Sequence, residues 1–245
     1  MTATPHRHMG ALALLCSLFL FMTAATAEDA TSLAIGAPIA DGTLKMGSRT
    51  WTLPPGDWKL GGRHLRDVKL TDTRTGAEVI EVYSALVREG AVRAGLFMTG
   101  TTGGSQVHNW REDPGCRPGK ALLREDSSTA TLSDCLVIRV LEGQPTQVPG
   151  VEVYASAAKW LQAENLKTPR PVFNVVIVKY QGSEYFRAAT WLDPTLFGVK
   201  SEEAMALTAA PESLVEWARA YRSAIAKAVG STSGTFVVPP LPGPR

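Results

Sequence analysis

Apolar and polar residues alternate along this chain in short runs, separated by clusters of Gly, Pro, Asp and Asn. The first clear case surrounds Pro54-Pro55-Gly56-Asp57, where Trp51 and Leu53 on one side and Trp58 and Leu60 on the other each alternate with polar neighbours. Pro55 suits the first central position of a tight turn, its φ already set, and Gly56 suits the second, where φ must be positive. The segment predicts strand–turn–strand. Residues 65–71 alternate Val68 and Leu70 with charged neighbours, residues 72–76 read as a turn, and residues 78–88 continue as a strand. Glu89-Gly90 then turns into residues 91–99, where Val92, Ala94, Leu96 and Met98 share one face. Turns this short join antiparallel neighbours, because a parallel return needs a long crossover. The pattern is a meander.

Residues 101–119 are rich in Gly, Asn, Asp and Pro and read as a long loop leading to Cys116. A buried strand is predicted over residues 135–141. Helical spacing follows over 152–165, where Val153, Ala157, Trp160 and Leu161 fall on one side behind Pro149-Gly150. Residues 171–180 form the strongest strand pattern, and Gly182-Ser183 is a two-residue hairpin loop returning through residues 185–192. The last helix begins at Pro211 and Glu212, carries Leu214, Ala218, Tyr221, Ile225 and Ala228 as one stripe widened by Trp217, and stops at Gly230. The order predicts an α+β fold: an antiparallel sheet, meander plus hairpin, with two main helices packed on one face. Residues 28–230 form a single domain on this reading. Residues 231–245, Gly-, Ser- and Pro-rich, form a flexible tail that adds nothing to the core.

Composition narrows the class. Of 245 residues 44% are hydrophobic and 20% charged, too apolar for a disordered chain, and a formal net charge of +2 supplies no field for nucleic acid. The first 27 residues have the layout of a signal peptide. Arg7 lies in a short basic stretch with His6 and His8, residues 9–22 are apolar, and Ala25-Thr26-Ala27 offers small residues where a signal peptidase requires them. The alternatives are an uncleaved anchor or a lipid on Cys16, the second disfavoured because Leu15 precedes that cysteine. Beyond Ala27 no apolar run is long enough to cross a bilayer as a helix. The expectation is a periplasmic or secreted protein.

Export changes how the cysteines read. Cys116 and Cys135 are the two that survive cleavage, and in an oxidising compartment two thiols have one intramolecular connectivity. The close spacing of a redox-active pair is absent, so the bond is read as structural.

Candidate chemistry is thin. Ser156 and Lys159 stand three apart on a predicted helix, the arrangement of a serine deprotonated by an amine, but the companion Lys-Thr-Gly and Ser-x-Asn elements of penicillin-recognising enzymes are missing. Their place at the border of the apolar stripe keeps the ammonium in water and protonated, so it cannot serve as a base. His64 and His108 are the imidazoles left after cleavage, and neither has metal-ligand spacing with another His, Cys or acid. Residues 100–105, Gly-Thr-Thr-Gly-Gly-Ser, lack the following helix of a phosphate loop. Trp51, Trp58 and Trp110 lie near turns and read either as an aromatic shelf or as core caps. No metal, nucleotide or other cofactor signature is present, and no cofactor is expected.

The leader followed by Trp-Thr-Leu-Pro-Pro-Gly-Asp-Trp at 51–58 resembles a motif near the start of uncharacterised exported proteobacterial proteins. That resemblance implies export and brings no activity or site with it. The resulting reading is a non-catalytic envelope protein that binds a small ligand or a protein partner on the Gly-rich loop side of its sheet, through Gly103, Gly104, His108 and Trp110. Its rival is a hydrolase whose residues, Ser156, Lys159 or His108 among them, converge only in three dimensions. One consequence is measurable directly. Reducing the Cys116–Cys135 bond should cost about 2–3 kcal/mol and lower the thermal midpoint by roughly 4–12 °C. Scanning calorimetry with and without reductant checks this, and rapid labelling of two thiols in the unreduced native protein contradicts it.

Overall fold

A computed structural model describes residues 27–71, 74–102, 116, 119–129, 132–143, 151–181, 184–229 and 234–243, with side chains 68–77 excepted. The signal-peptide reading of residues 1–26 and the turn residues Asp72, Thr73, Gly182 and Ser183 lie outside the described residues. Among the described residues three short strands come first, β1 (Glu28–Asp29), β2 (Thr43–Met46) and β3 (Arg49–Thr52). The meander follows as β4 (Trp58–Thr71), β5 (Arg74–Arg88) and β6 (Ala91–Thr101). After β7 (Leu123–Asp126) and β8 (Ser133–Leu141) comes helix α1 (Glu152–Ala163), then the hairpin β9 (Val172–Gln181) and β10 (Glu184–Leu192). Helices α2 (Ser201–Ala204) and α3 (Glu212–Val229) and strand β11 (Thr235–Val237) complete the order.

Seven strands make one antiparallel sheet in the order β4-β5-β6-β10-β9-β8-β7. The meander forms one half, β7 to β10 the other, and β6 joins β10 at the centre. The remaining four make a mixed sheet, β1-β2-β3-β11, that the sequence pattern did not announce. The Trp51–Trp58 segment is the corner between the two sheets, with β3 in the small one and β4 in the large. Gly56 takes φ +145°, and the Trp58 indole donates to the Pro54 carbonyl at 2.6 Å, which locks the corner.

The two main helices do not share a face. α1 lays Val153, Tyr154, Ala157, Trp160 and Leu161 on a layer containing Tyr83, Phe97, Val137 and Val176. α3 and the small sheet cover the other face, where Trp217, Tyr221 and Ile225 join Ile80, Leu96, Ile138 and Val175. The expectation of one covered face is corrected by the strands themselves: Val172–Val178 is buried throughout, so alternate residues must be shielded on both sides.

α1 seats closely on β4 because Gly61 and Gly62 lie beneath it. A β-carbon at Gly61 would stand 2.6 Å from the Trp160 ring and 2.7 Å from Tyr83, and one at Gly62 2.8 Å from the Val153 carbonyl oxygen.

The C-terminal segment is also corrected. Far from lacking a core role, it supplies β11, buries Phe236 and Val238, and sets Phe236 against Trp51 with ring centroids 4.2 Å apart and planes tilted by 58°. Trp217 of α3 donates to the Pro239 carbonyl at 3.1 Å and ties the segment down.

An ionic clamp holds α3 to the β7–β8 edge. Arg222 Nε meets Asp134 Oδ1 at 2.7 Å and its Nη1 meets Glu125 Oε2 at 3.2 Å, while Arg219 reaches Glu125 Oε1 at 2.6 Å. Lys179 Nζ completes the set at 2.8 Å from Asp134 Oδ2. Partial burial alone would push the Asp134 carboxyl up, but the hydrogen bonds from Arg222 and Lys179 outweigh it and hold it below the ordinary 3.8. A depressed carboxylate contributes stability above its unfolded value and loses it as pH falls through the lower folded value. Asp134→Asn should therefore destabilise by about 1–2 kcal/mol at pH 7, with the penalty shrinking once pH drops under 3.8. Urea titrations of both proteins across pH 7 to 2 check it; a penalty independent of pH would contradict it.

Candidate functional site

Pairing register sets one polar row across the α1 face of the large sheet. His64 of β4 pairs with Glu81 of β5, Glu81 with Thr99 of β6, and Thr99 with Arg187 of β10. The row continues through Val178 of β9 to Cys135 of β8. Directly paired residues point to the same face, so these side chains stand next to one another. Glu81 is 5% exposed and Thr99 3%, which places a carboxylate and a hydroxyl inside the sheet layer. Arg66, one pleat further out, brings Nε to 3.2 Å from Glu81 Oε1.

Aromatic packing forms the inner border of this belt. Phe97 and Tyr154 stack at 4.8 Å, Tyr154 meets Trp191 edge-on at 5.5 Å, and the Arg187 guanidinium sits 5.9 Å over the Phe97 ring. At the β4 end, His64 Nδ1 lies 3.3 Å from Glu152 Oε2 in the first turn of α1. A charge in an apolar layer is expensive unless paired, and a purely structural sheet has cheaper apolar choices for the position of Glu81.

The belt also lies near the residues that bracket the predicted ligand loop. Gly103, Gly104, His108 and Trp110 lie outside the described residues, but the residues bracketing that segment do not. Thr102, just past β6, donates through its hydroxyl to Glu78 Oε1 at 2.6 Å. Cys116 is bonded to Cys135, with 6.1 Å between their α-carbons, and Cys135 belongs to the belt's own row. Arg124 donates to the Cys116 carbonyl. Both anchors of the loop thus stand at the same end of the sheet as Glu81, Thr99 and Arg187.

Other sequence candidates fall elsewhere. Trp51 and Trp58 are 1% exposed and belong to the core, not to a shelf. Ser156 is partly buried and Lys159 exposed, at the edge of the stripe that α1 presents to the sheet. Among the described residues no group of three or more His, Cys, Asp or Glu could hold a metal ion. Glu81, Thr99, Arg187 and Arg66 were missed by motif reading, although a signal existed: Glu81 has the parity of Tyr83 and Ala85, and Arg187 that of Tyr185 and Ala189.

A groove of 760 Å³ lies apart from the belt, between Pro38-Ile39, the 53–59 corner and Val237–Val238. Its size suits a ligand, but its acids Asp41 and Asp57 are exposed and Lys59 half-exposed, so it holds no charge out of water. The belt, where polar groups are held buried, is the better-built site.

No protein-family model matches the chain, and no curated protein sequence matches it. Among solved structures it is similar to a possible transcriptional regulator, YydK, from Bacillus subtilis subsp. subtilis str. 168, at 10% identity and a TM-score of 0.29, covering 56% of this chain and 58% of that one. The chain spans little more than half of that structure, and a likeness this low carries no argument about fold or function.

The place of Ser156 and Lys159 has a chemical consequence. A fluorophosphonate probe should leave the purified protein unlabelled; labelling that vanishes in Ser156→Ala would restore the serine-hydrolase reading.

Proposed function

We propose that the chain is an exported envelope protein that binds a small polar ligand, without turning it over, on the α1 face of its large sheet. One observation carries this reading: Glu81, buried in the sheet, stands in one row with Thr99 and Arg187, beside the anchors of the Gly-rich loop. The belt offers a carboxylate and a hydroxyl between two guanidiniums, groups that recognise and orient. Guanidiniums stay protonated and do not shuttle protons. The ligand class that fits has a hydrogen-bond donor or cation for Glu81 and a carboxylate or carbonyl for Arg187. Export is supported by the leader at 1–27 and is compatible with the Cys116–Cys135 bond. No helix among the described residues is long and apolar enough to cross a membrane.

Native mass spectrometry of protein purified from the cell envelope tests both parts at once. The expected spectrum shows a chain beginning at Glu28 that carries a small-molecule adduct, and the adduct is lost in Glu81→Gln and in Thr99→Val. Because a binding group is kept at a cost to stability, Thr99→Val should melt no lower than the wild type, with a gain of up to about 1 kcal/mol. A chain retaining residues 1–27, or an adduct that is absent or indifferent to both variants, would overturn the proposal.

A further inference from the structure

Strand β4 ends the large sheet, and its outer edge is covered for only part of its length. The segment before β2 lines Trp58–Leu60: Ile39 N donates to the Trp58 carbonyl at 2.9 Å, Leu60 N to the Ala37 carbonyl at 3.0 Å, and Gly36 N to the Leu60 carbonyl at 2.6 Å. Beyond Leu60 no main-chain hydrogen bond is made on that edge among the described residues. Pairing with β5 is regular from Gly62 to Val68, between one irregularity at Leu60/Gly62 and another at Val68/Lys69. Leu65 is the midpoint of that stretch and is 48% exposed. A regular, open edge with an exposed apolar side chain is a template for another strand.

Charge identifies the other strand. Arg63, Leu65 and Asp67 alternate, so they share the face that carries Val82 and Ile80. Arg63 donates through Nη1 to the Ala30 and Leu33 carbonyls, and its Nε and Nη2 make no bond among the described residues. Asp67 is exposed, stands opposite Glu78 in register, and makes no hydrogen bond or ion pair among the described residues. One arm of the stretch thus presents two acids and the other a cation. Turned about a twofold axis through Leu65, the run Arg63-His64-Leu65-Arg66-Asp67 meets itself with Arg63 opposite Asp67 twice and Leu65 opposite Leu65. On the α1 face the same rotation sets His64 opposite Arg66. Acids attend both there, Glu152 at 3.3 Å from His64 and Glu81 at 3.2 Å from Arg66.

We infer that two copies of this chain join β4 to β4, antiparallel and centred on Leu65, so that their large sheets become one. The strand that fits this edge needs an acid opposite Arg63, an apolar residue opposite Leu65 and a cation opposite Asp67, and β4 itself supplies all three. Leu65 and Asp67 lie outside the Glu81 belt, so this inference and the ligand reading fail separately.

Sedimentation velocity of the oxidised protein from the cell envelope, over the micromolar range, tests it. A reversible monomer–dimer equilibrium is expected. Leu65→Lys and Asp67→Arg change exposed side chains, should melt as the wild type does, and should each weaken the dimer by roughly tenfold or more. Leu65→Cys should give a covalent dimer under mild oxidation, because directly opposed residues lie within reach of a disulfide. Lys200→Cys, at an exposed position beside α2, should not. A monomer at every concentration, a dimer indifferent to both Leu65→Lys and Asp67→Arg, or cross-linking of Lys200→Cys equal to that of Leu65→Cys would each overturn the inference.

Discussion

A seven-stranded sheet that is apolar on both faces is the constraint from which the rest of this structure follows. Such a sheet cannot leave either face to water, because alternate residues along β5, β9 and β10 are large and apolar on both parities. One helix cannot shield it. The chain meets the need with α1 on one side and with α3 plus a four-stranded sheet on the other. The small sheet exists in this view as a cover, and its dependence on β11 explains why a Pro-rich C-terminal segment is drawn into the core. Arg49 of β3, itself buried, reaches Glu184 of β10 at 2.7 Å and links the two sheets directly.

Two devices hold the cover in register, and they differ in kind. α1 is seated by shape. Gly61 and Gly62 remove the side chains that would hold the helix off β4, and Trp160 and the Val153 backbone occupy the space. α3 is seated by charge at the β7–β8 edge, where Asp134 and Glu125 each meet two cations. Asp134 precedes Cys135, so the clamp on one face and the disulfide on the other act on adjacent residues of β8. β8 is second from the edge of the sheet and pairs with both β7 and β9.

The belt is where this economy of apolar cover is interrupted. Glu81, Thr99 and Arg187 occupy positions whose parity assigns them to the layer under α1, yet α1 covers the aromatic residues further in, Tyr83, Phe97 and Trp191. The aromatic floor excludes water from one side of the row, which strengthens every polar interaction made there. The departures from the local pattern are thus confined to a few neighbouring positions in a sheet that otherwise obeys it.

Periodicity and turn chemistry, both local properties, made much of the fold legible in the sequence. The meander, the β9–β10 hairpin and the two main helices with their buried stripes follow from spacing along the chain, and the cysteine pair from the count left after a predicted cleavage. What spacing does not contain is which parity meets which cover, because that depends on pairings between residues far apart. The mixed sheet joins residues near 50 to residues near 236, and no window of sequence holds both. The unbroken burial potential of residues 172–178 hinted at two covered faces, and an acid at position 81 on the buried parity of β5 hinted at the belt. Only the tertiary structure made them neighbours, because it is the register between β4, β5, β6 and β10 that sets His64, Glu81, Thr99 and Arg187 side by side.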